Sequence, residues 1–73
     1  MTTTATRLST ITLNGARLET GAATLADLVV EQGLADSKVA TALNGEFVAA
    51  GRRAGTRLSH GDRIEIVSAR QGG

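Results

Sequence analysis

The chain of 73 residues contains no cysteine, which excludes disulfides, thiolate nucleophiles and cysteine-ligated metal ions. The absence of cysteine is compatible with a reducing cytoplasm. Its one histidine, His60, precedes Gly61 and Asp62 in a predicted turn, where a lone histidine is usually a solvated surface residue. One histidine without cysteine does not make a zinc site. We therefore expect that the chain has no catalytic residue of its own and binds neither a metal ion nor a cofactor.

Aromatic residues are scarce, and an excess of one charge and long apolar runs are missing. Phe47 is the one aromatic residue, so stacking on nucleic-acid bases has almost nothing to use. The net charge is +1 and the charges are of mixed sign, whereas a dedicated nucleic-acid binder normally has a strong basic excess. No apolar run approaches the roughly 20 residues of a membrane span. We expect neither nucleic acid nor a membrane as a partner.

Proline is absent as well, so the turns are marked by glycine. The Asn-Gly pairs at residues 14–15 and 44–45 suit tight hairpin turns. They predict one hairpin from residues 8–13 and 16–20, and a second from residues 39–43 and 46–49. The buried face of the second hairpin is left open by the pattern. Val39, Thr41, Leu43 and Val48 share one side of it, and Ala42, Phe47 and Ala49 share the other.

One helix is predicted between the two hairpins. Thr24 suits the N-cap, with Asp27 at the reciprocal position of a capping box. Gly33 suits the position just after the helix, and Leu34 can then fold back on the helix. The apolar stripe of this helix consists of Leu25, Leu28 and Val29.

The C-terminal third predicts a loop at residues 50–56 and a last strand at residues 63–68. Ile64 and Ile66 share one face of this strand, and Val67 lies on the other. Two hairpins that flank one helix, with the terminal strand added to their sheet, predict an α+β fold with a ββαββ mixed sheet. This is the β-grasp arrangement, in which the first and last strands are central. We expect a polar tail at residues 1–7, the domain at residues 8–69 and a flexible tail at residues 70–73.

The sequence ends in Gly72 and Gly73. Neither residue has a Cβ, so this tail can thread a narrow channel and present its carboxylate to an enzyme. A frayed terminus is the alternative interpretation. Arg70 lies close enough to the diglycine to predict an ionic contact with such a channel. The remaining arginines of this region are interpreted as surface residues that favour solubility: Arg52, Arg53, Arg57 and Arg63.

Three motifs in order resemble one known family: ITLNG at residues 11–15, VATALNGEFV at residues 39–48, and GDRIEIV at residues 61–67. With the final Gly-Gly, they make the chain similar to the ThiS-like sulfur carrier proteins of thiamine biosynthesis, which are ubiquitin-like β-grasp proteins. The resemblance spans residues 9–73. The chain departs from the family in a loop without proline and in Gln71, where a glycine is frequent.

The resemblance implies a protein that is a co-substrate rather than an enzyme. A ThiF-like adenylyltransferase, of the ubiquitin-activating type, would use ATP to adenylate the Gly73 carboxylate. A sulfur donor such as a cysteine desulfurase would convert it to a thiocarboxylate, which delivers sulfur to a ThiG-like thiazole synthase. Gly72, Gln71 and Arg70 would thread into these partners. Val67 and Phe47 are the candidate partner-contact surface, and the core is the alternative place for Phe47.

Three other functions share the same tail. The chain could serve as the small subunit of molybdopterin synthase or as another carrier in sulfur metabolism. It could be a ubiquitin-like modifier whose diglycine forms an isopeptide bond with a target lysine. It could also be an interaction domain in which the diglycine is accidental. The Asn-Gly-Glu hairpin at residues 44–46 favours the thiamine group.

Overall fold

The computed structural model describes residues 8–68, which form a five-stranded sheet packed on one helix. The strand order is β2-β1-β5-β3-β4. β1 and β5 are parallel and the other neighbouring pairs are antiparallel, which confirms the predicted β-grasp arrangement. The elements are β1 Ser9–Leu13, β2 Ala16–Thr20, α1 Leu25–Glu31, β3 Val39–Leu43, β4 Glu46–Val48, a 3₁₀ helix at Ala50–Gly55, and β5 Arg63–Ser68.

Both hairpins turn at their Asn-Gly pairs, as predicted. The φ angles are 50° at Asn14 and 86° at Gly15, and 51° at Asn44 and 87° at Gly45. Positive φ at both central residues is what a type I′ turn requires, and asparagine and glycine adopt it at the least cost. The two turns set the register of both hairpins from local sequence alone.

The helix begins and ends at the predicted residues. Thr24 is the N-cap, and its hydroxyl accepts a hydrogen bond from the Asp27 N–H at 3.1 Å. Gly33 has a φ of 77°, and the N–H groups of Gly33 and Leu34 donate to carbonyls of the last turn at 2.9 and 3.0 Å. This is a Schellman stop. It returns Leu34 to the core, against which its side chain packs.

The core lies between α1 and one face of the sheet. Thr41 is 1% exposed and Phe47 is 72% exposed, so the second hairpin buries the side that carries Val39, Thr41 and Leu43. This exposure decides between the two faces of the second hairpin that the sequence pattern left open, and it shows that Phe47 is not a core residue. The buried apolar residues are Ile11, Leu25, Leu28, Val29, Ile64 and Ile66.

The segment predicted as a loop at residues 50–56 is instead a 3₁₀ helix over Ala50–Gly55. β4 ends at Val48, opposite Thr41, so no residue of β4 pairs with Val39. Arg53 takes that place: its Nη2 donates to the Val39 carbonyl at 2.7 Å and its Nε donates to the Thr41 hydroxyl at 2.9 Å. Arg53 therefore completes the sheet edge, and its interpretation as a solubilising surface residue was wrong.

Candidate functional site at the end of the central strand

β5 is the strand that leads into the C-terminal tail, and its two neighbours hold it unequally. The whole of β3 pairs with β5, from Leu43 opposite Ile64 to Val39 opposite Ser68. The pairing with β1 covers two positions only, and its last pair is Leu13 with Ile64. β1 ends at Leu13. Beyond Ile64, the strand ladder of β5 is therefore the one with β3.

The side chain of Asn14 continues the support on the β1 side. Its Oδ1 accepts a hydrogen bond from the Ile66 N–H at 2.9 Å, and its Nδ2 donates to the Ile66 carbonyl at 3.0 Å. The Asn14 N–H donates to the Ile64 carbonyl at 2.9 Å. A carboxamide carries one acceptor and one donor group in the same arrangement as a peptide unit. Asn14 therefore acts as one additional strand residue beside β5.

Asn44 makes the equivalent contact at the other end of β5. Its N–H donates to the Arg63 carbonyl at 2.7 Å, and its Oδ1 accepts from the Arg63 N–H at 2.8 Å. Its Nδ2 donates to the Asp62 Oδ1 at 3.0 Å. The two Asn-Gly turns thus bind the start and the end of the same strand, with Asn44 at the start and Asn14 nearer the tail.

The sheet face that points away from α1 carries an apolar patch beside the end of β5. Val67 is 55% exposed and lies opposite Ala40 on β3, while Phe47 on β4 lies opposite Ala42. Strand alternation places all four side chains on one face, where the exposed Glu65 of β5 also lies, opposite Ala42. We call Ala40, Ala42, Phe47 and Val67 the outer patch. Exposed apolar side chains that cluster in this way are typical of a protein-binding surface.

The structure places two of the predicted site residues on the same face of the sheet. Val67 and Phe47 both belong to the outer patch, on strands that flank β3. Their predicted contact with a partner stays a prediction. Arg70, Gln71, Gly72 and Gly73 lie outside the described residues, as do the two tails predicted at residues 1–7 and 70–73.

Residues 8–68 contain few other groups that suit catalysis or ligand binding. His60 is exposed, and its Nδ1 accepts a hydrogen bond from the Thr10 N–H at 3.2 Å, so it joins the turn before β5 to β1. Within residues 8–68, no group of three or more histidine, aspartate or glutamate residues could hold a metal ion. None of the helical segments in this range has the length and hydropathy needed to cross a bilayer.

Comparison with known proteins supplies the family. The ThiS family model matches residues 8–73, which includes the domain and the diglycine. The chain belongs to the ThiS family. Among solved structures, this ThiS-family chain is similar to the crystal structure of the thiamine biosynthesis protein ThiS from Geobacter metallireducens, with a TM-score of 0.73 and 25% identity. The match covers 88% of this chain and 99% of the Geobacter chain. No curated protein is matched.

The ThiS family match confirms the resemblance that the three motifs and the diglycine indicated. What the motifs did not indicate is the contact between Asn14 and Ile66, because the Asn-Gly signal predicts a turn and says nothing about the partner of its side chain. The sequence does contain a weak sign of it. Of the residues that suit a type I′ turn, asparagine alone adds a carboxamide with both a donor and an acceptor.

Proposed function

We propose that this protein is a sulfur carrier of thiamine biosynthesis. The C-terminal carboxylate of Gly73 is adenylated and then converted to a thiocarboxylate, which donates its sulfur for thiazole formation. The observation that carries the proposal is the ThiS family match over residues 8–73, which extends from the β-grasp domain through Gly72 and Gly73.

The chemistry of the tail agrees with this role. An α-carboxyl group is ionised at neutral pH, so the Gly73 carboxylate can attack the α-phosphate of ATP and release pyrophosphate. The acyl-adenylate that forms has AMP as its leaving group. The terminal sulfur of a donor persulfide displaces AMP to give an acyl disulfide, and a partner thiol then attacks the donor-side sulfur, which releases the thio acid and leaves a disulfide between partner and donor. The chain contributes only the acyl group, because it has no cysteine and His60 is engaged with the backbone of Thr10. The catalytic groups belong to the partners.

Three partners follow from these steps. A ThiF-like adenylyltransferase binds ATP and provides the adenylation site. A donor such as a cysteine desulfurase supplies the sulfur, and a ThiG-like thiazole synthase accepts the sulfur from the thiocarboxylate. Gly72 and Gln71 pass through the channel of each partner, and Arg70 makes an ionic contact at its mouth. The cytoplasm is the compartment in which this exchange takes place.

The outer patch is the surface that docks on the adenylating partner. Changing Val67 or Phe47 to Asp places a charge where an apolar contact is formed, and is expected to raise the Kd of the complex by about tenfold or more. The matched control is Val30→Asp, because Val30 is also apolar and 61% exposed but lies on α1. Titration calorimetry with the adenylating partner checks the three variants. Equal weakening by Val30→Asp would contradict the assignment of this face.

The intact mass of the protein, isolated from its own cells, tests the proposal directly. The mass is measured before and after treatment with a thiol-alkylating reagent. Because the chain has no cysteine, alkylation at a single site reports a sulfur that was added after synthesis. We expect a mass gain equal to the exchange of one oxygen for sulfur. The added sulfur is expected to map to Gly73 and to be alkylated by the reagent.

Two results would contradict the carrier proposal. The first is an unmodified mass in sulfur-replete cells that contain the adenylating enzyme. The second is the recovery of the protein joined to lysines of other chains, which would establish a ubiquitin-like modifier instead. The two results are distinguished by mapping the C-terminal peptide.

A further inference from the structure

We infer that Asn14 is a positioning residue for the C-terminal tail. Its carboxamide holds the backbone of Ile66 and thereby sets the direction in which the chain leaves the sheet after Ser68. The inference rests on the proposed function, because the direction matters only if the tail must enter the site of a partner. Asn14 itself does not contact the reacting carboxylate, so it acts through β5.

β5 is paired unequally with its two neighbouring strands. On the β3 side the ladder continues to Ser68, the last described residue of the strand. On the β1 side it stops at Ile64, and the two hydrogen bonds to Ile66 come from the Asn14 side chain at 2.9 and 3.0 Å. Without the carboxamide, these two bonds of Ile66 on the β1 side are lost, while the ladder with β3 remains.

A strand end that is paired along one edge can rotate about that edge, whereas one that is paired on both sides cannot. Local opening of this kind is governed by the few hydrogen bonds that close it. A wider spread of exit directions lowers the fraction of encounters in which the tail points into the partner. The KM for the carrier therefore rises, while kcat, which describes the seated tail, is unchanged.

The chain offers a matched pair of variants. Asn14→Gly removes the carboxamide but keeps a residue that adopts the φ of 50° found at this position. Asn44→Gly makes the same change in the same type of turn, at a φ of 51°, and loses side-chain hydrogen bonds to Asp62 and Arg63 at the start of β5. The two variants lose similar bonds, and only the first loses them next to the tail.

Two measurements on the full chain separate positioning from general stability. Amide hydrogen exchange by NMR reports the opening of each end of β5, and adenylation kinetics with the partner enzyme report KM and kcat. For Asn14→Gly we expect exchange of the Ile66 amide to accelerate by about tenfold. We also expect its KM to rise by about threefold to tenfold, with kcat within about twofold of the wild type.

The control variants define what would overturn the inference. Asn44→Gly is expected to accelerate exchange at Arg63 and to change KM by less than about twofold. Asn14→Asp keeps an acceptor for the Ile66 N–H and is expected to lie between Asn14→Gly and the wild type in both measurements. An unchanged Ile66 exchange rate in Asn14→Gly, an equal rise in KM in both glycine variants, or a loss confined to kcat would each overturn it.

Failure of the proposed function looks different. If the wild-type protein is not adenylated by any partner of this class, the proposed function is wrong and no variant has a KM to compare. The exchange measurement still applies in that case. It supports the anchoring of the end of β5 if Ile66 responds to Asn14→Gly alone, and it overturns that anchoring if Ile66 responds equally to both glycine variants.

Discussion

Appending one alanine after Gly73 is expected to abolish thiocarboxylate formation without unfolding the domain. The addition turns the Gly73 carboxylate into an amide, which is not a substrate for adenylation. It also places a Cβ at the end of a tail whose last two residues have none, so a channel fitted to glycine excludes it. Misplacement of a reacting group by one residue removes the benefit of a preorganised site, and we expect a loss of at least about 10²-fold.

The measurement is the rate of thiocarboxylate formation in a reconstituted reaction, followed by intact mass. The control carries the same alanine inserted after Met1, at the opposite end of the sequence, and is expected to react at the wild-type rate. Both variants are expected to keep the wild-type Tm. Wild-type thiazole formation by the variant extended after Gly73 would refute the carrier proposal.

The largest expected effect on stability comes from Ile64→Ala. Ile64 is 0% exposed and lies in the central strand, with Leu13 and Leu43 as neighbours on either side. Truncation removes buried methyl groups and leaves a cavity that α1 and the two neighbouring strands enclose, which costs about 2–5 kcal/mol. A domain of this length has a free energy of unfolding of roughly 4–11 kcal/mol. The variant therefore loses a large share of its stability.

Urea unfolding monitored by circular dichroism checks this expectation, with Val67→Ala as the matched control. Val67 lies on the same strand but is 55% exposed on the opposite face. Its truncation is expected to change the free energy of unfolding by less than about 0.5 kcal/mol. Comparable losses in the two variants would mean that the inner and outer faces of β5 are wrongly assigned.

The elements of this fold could be predicted because their signals are local. Each Asn-Gly pair determines a turn through the backbone angles that its two residues allow. The alternation in β5 assigns Ile64 and Ile66 to the core within a single strand. Thr24 and Gly33 mark the ends of the helix through their own hydrogen bonds and φ angle. None of these inferences needs knowledge of a distant residue.

The buried face of the second hairpin could not be predicted, because the alternation of its residues does not show which polar side chain finds hydrogen-bond partners. By hydropathy alone, the side that carries Phe47 is as suited to the core as the side that carries Thr41. Burial of the Thr41 hydroxyl is unfavourable unless it is hydrogen-bonded. It donates to the Val48 carbonyl at 2.8 Å and accepts from Arg53 Nε at 2.9 Å. The Val48 carbonyl within the hairpin and Arg53 Nε beyond it together satisfy this hydroxyl, so Thr41 is buried with its polar atom paired.

The 3₁₀ helix and the anchor at the end of β5 were missed for related reasons. Gly51 and Gly55 favour a loop by composition, yet i to i+3 hydrogen bonds from Arg52 to Ala49 and from Thr56 to Arg53 close two turns there. The hydrogen bonds between Asn14 and Ile66 join residues 52 positions apart. Sequence patterns report periodicity and local angles, and neither of these identifies which backbone group a side-chain amide will reach.

The sheet order has a consequence for how the protein is made. In the order β2-β1-β5-β3-β4, the two hairpins are separated by β5 and share no ladder with each other. The N-terminus of a nascent chain leaves the ribosome first. Both hairpins and the helix therefore emerge before β5, the strand that joins the two hairpins. Pairing between segments so distant in sequence is slow to form, and here it awaits the synthesis of β5. A nascent chain with a complete sheet is therefore one that has been synthesised at least through Ser68.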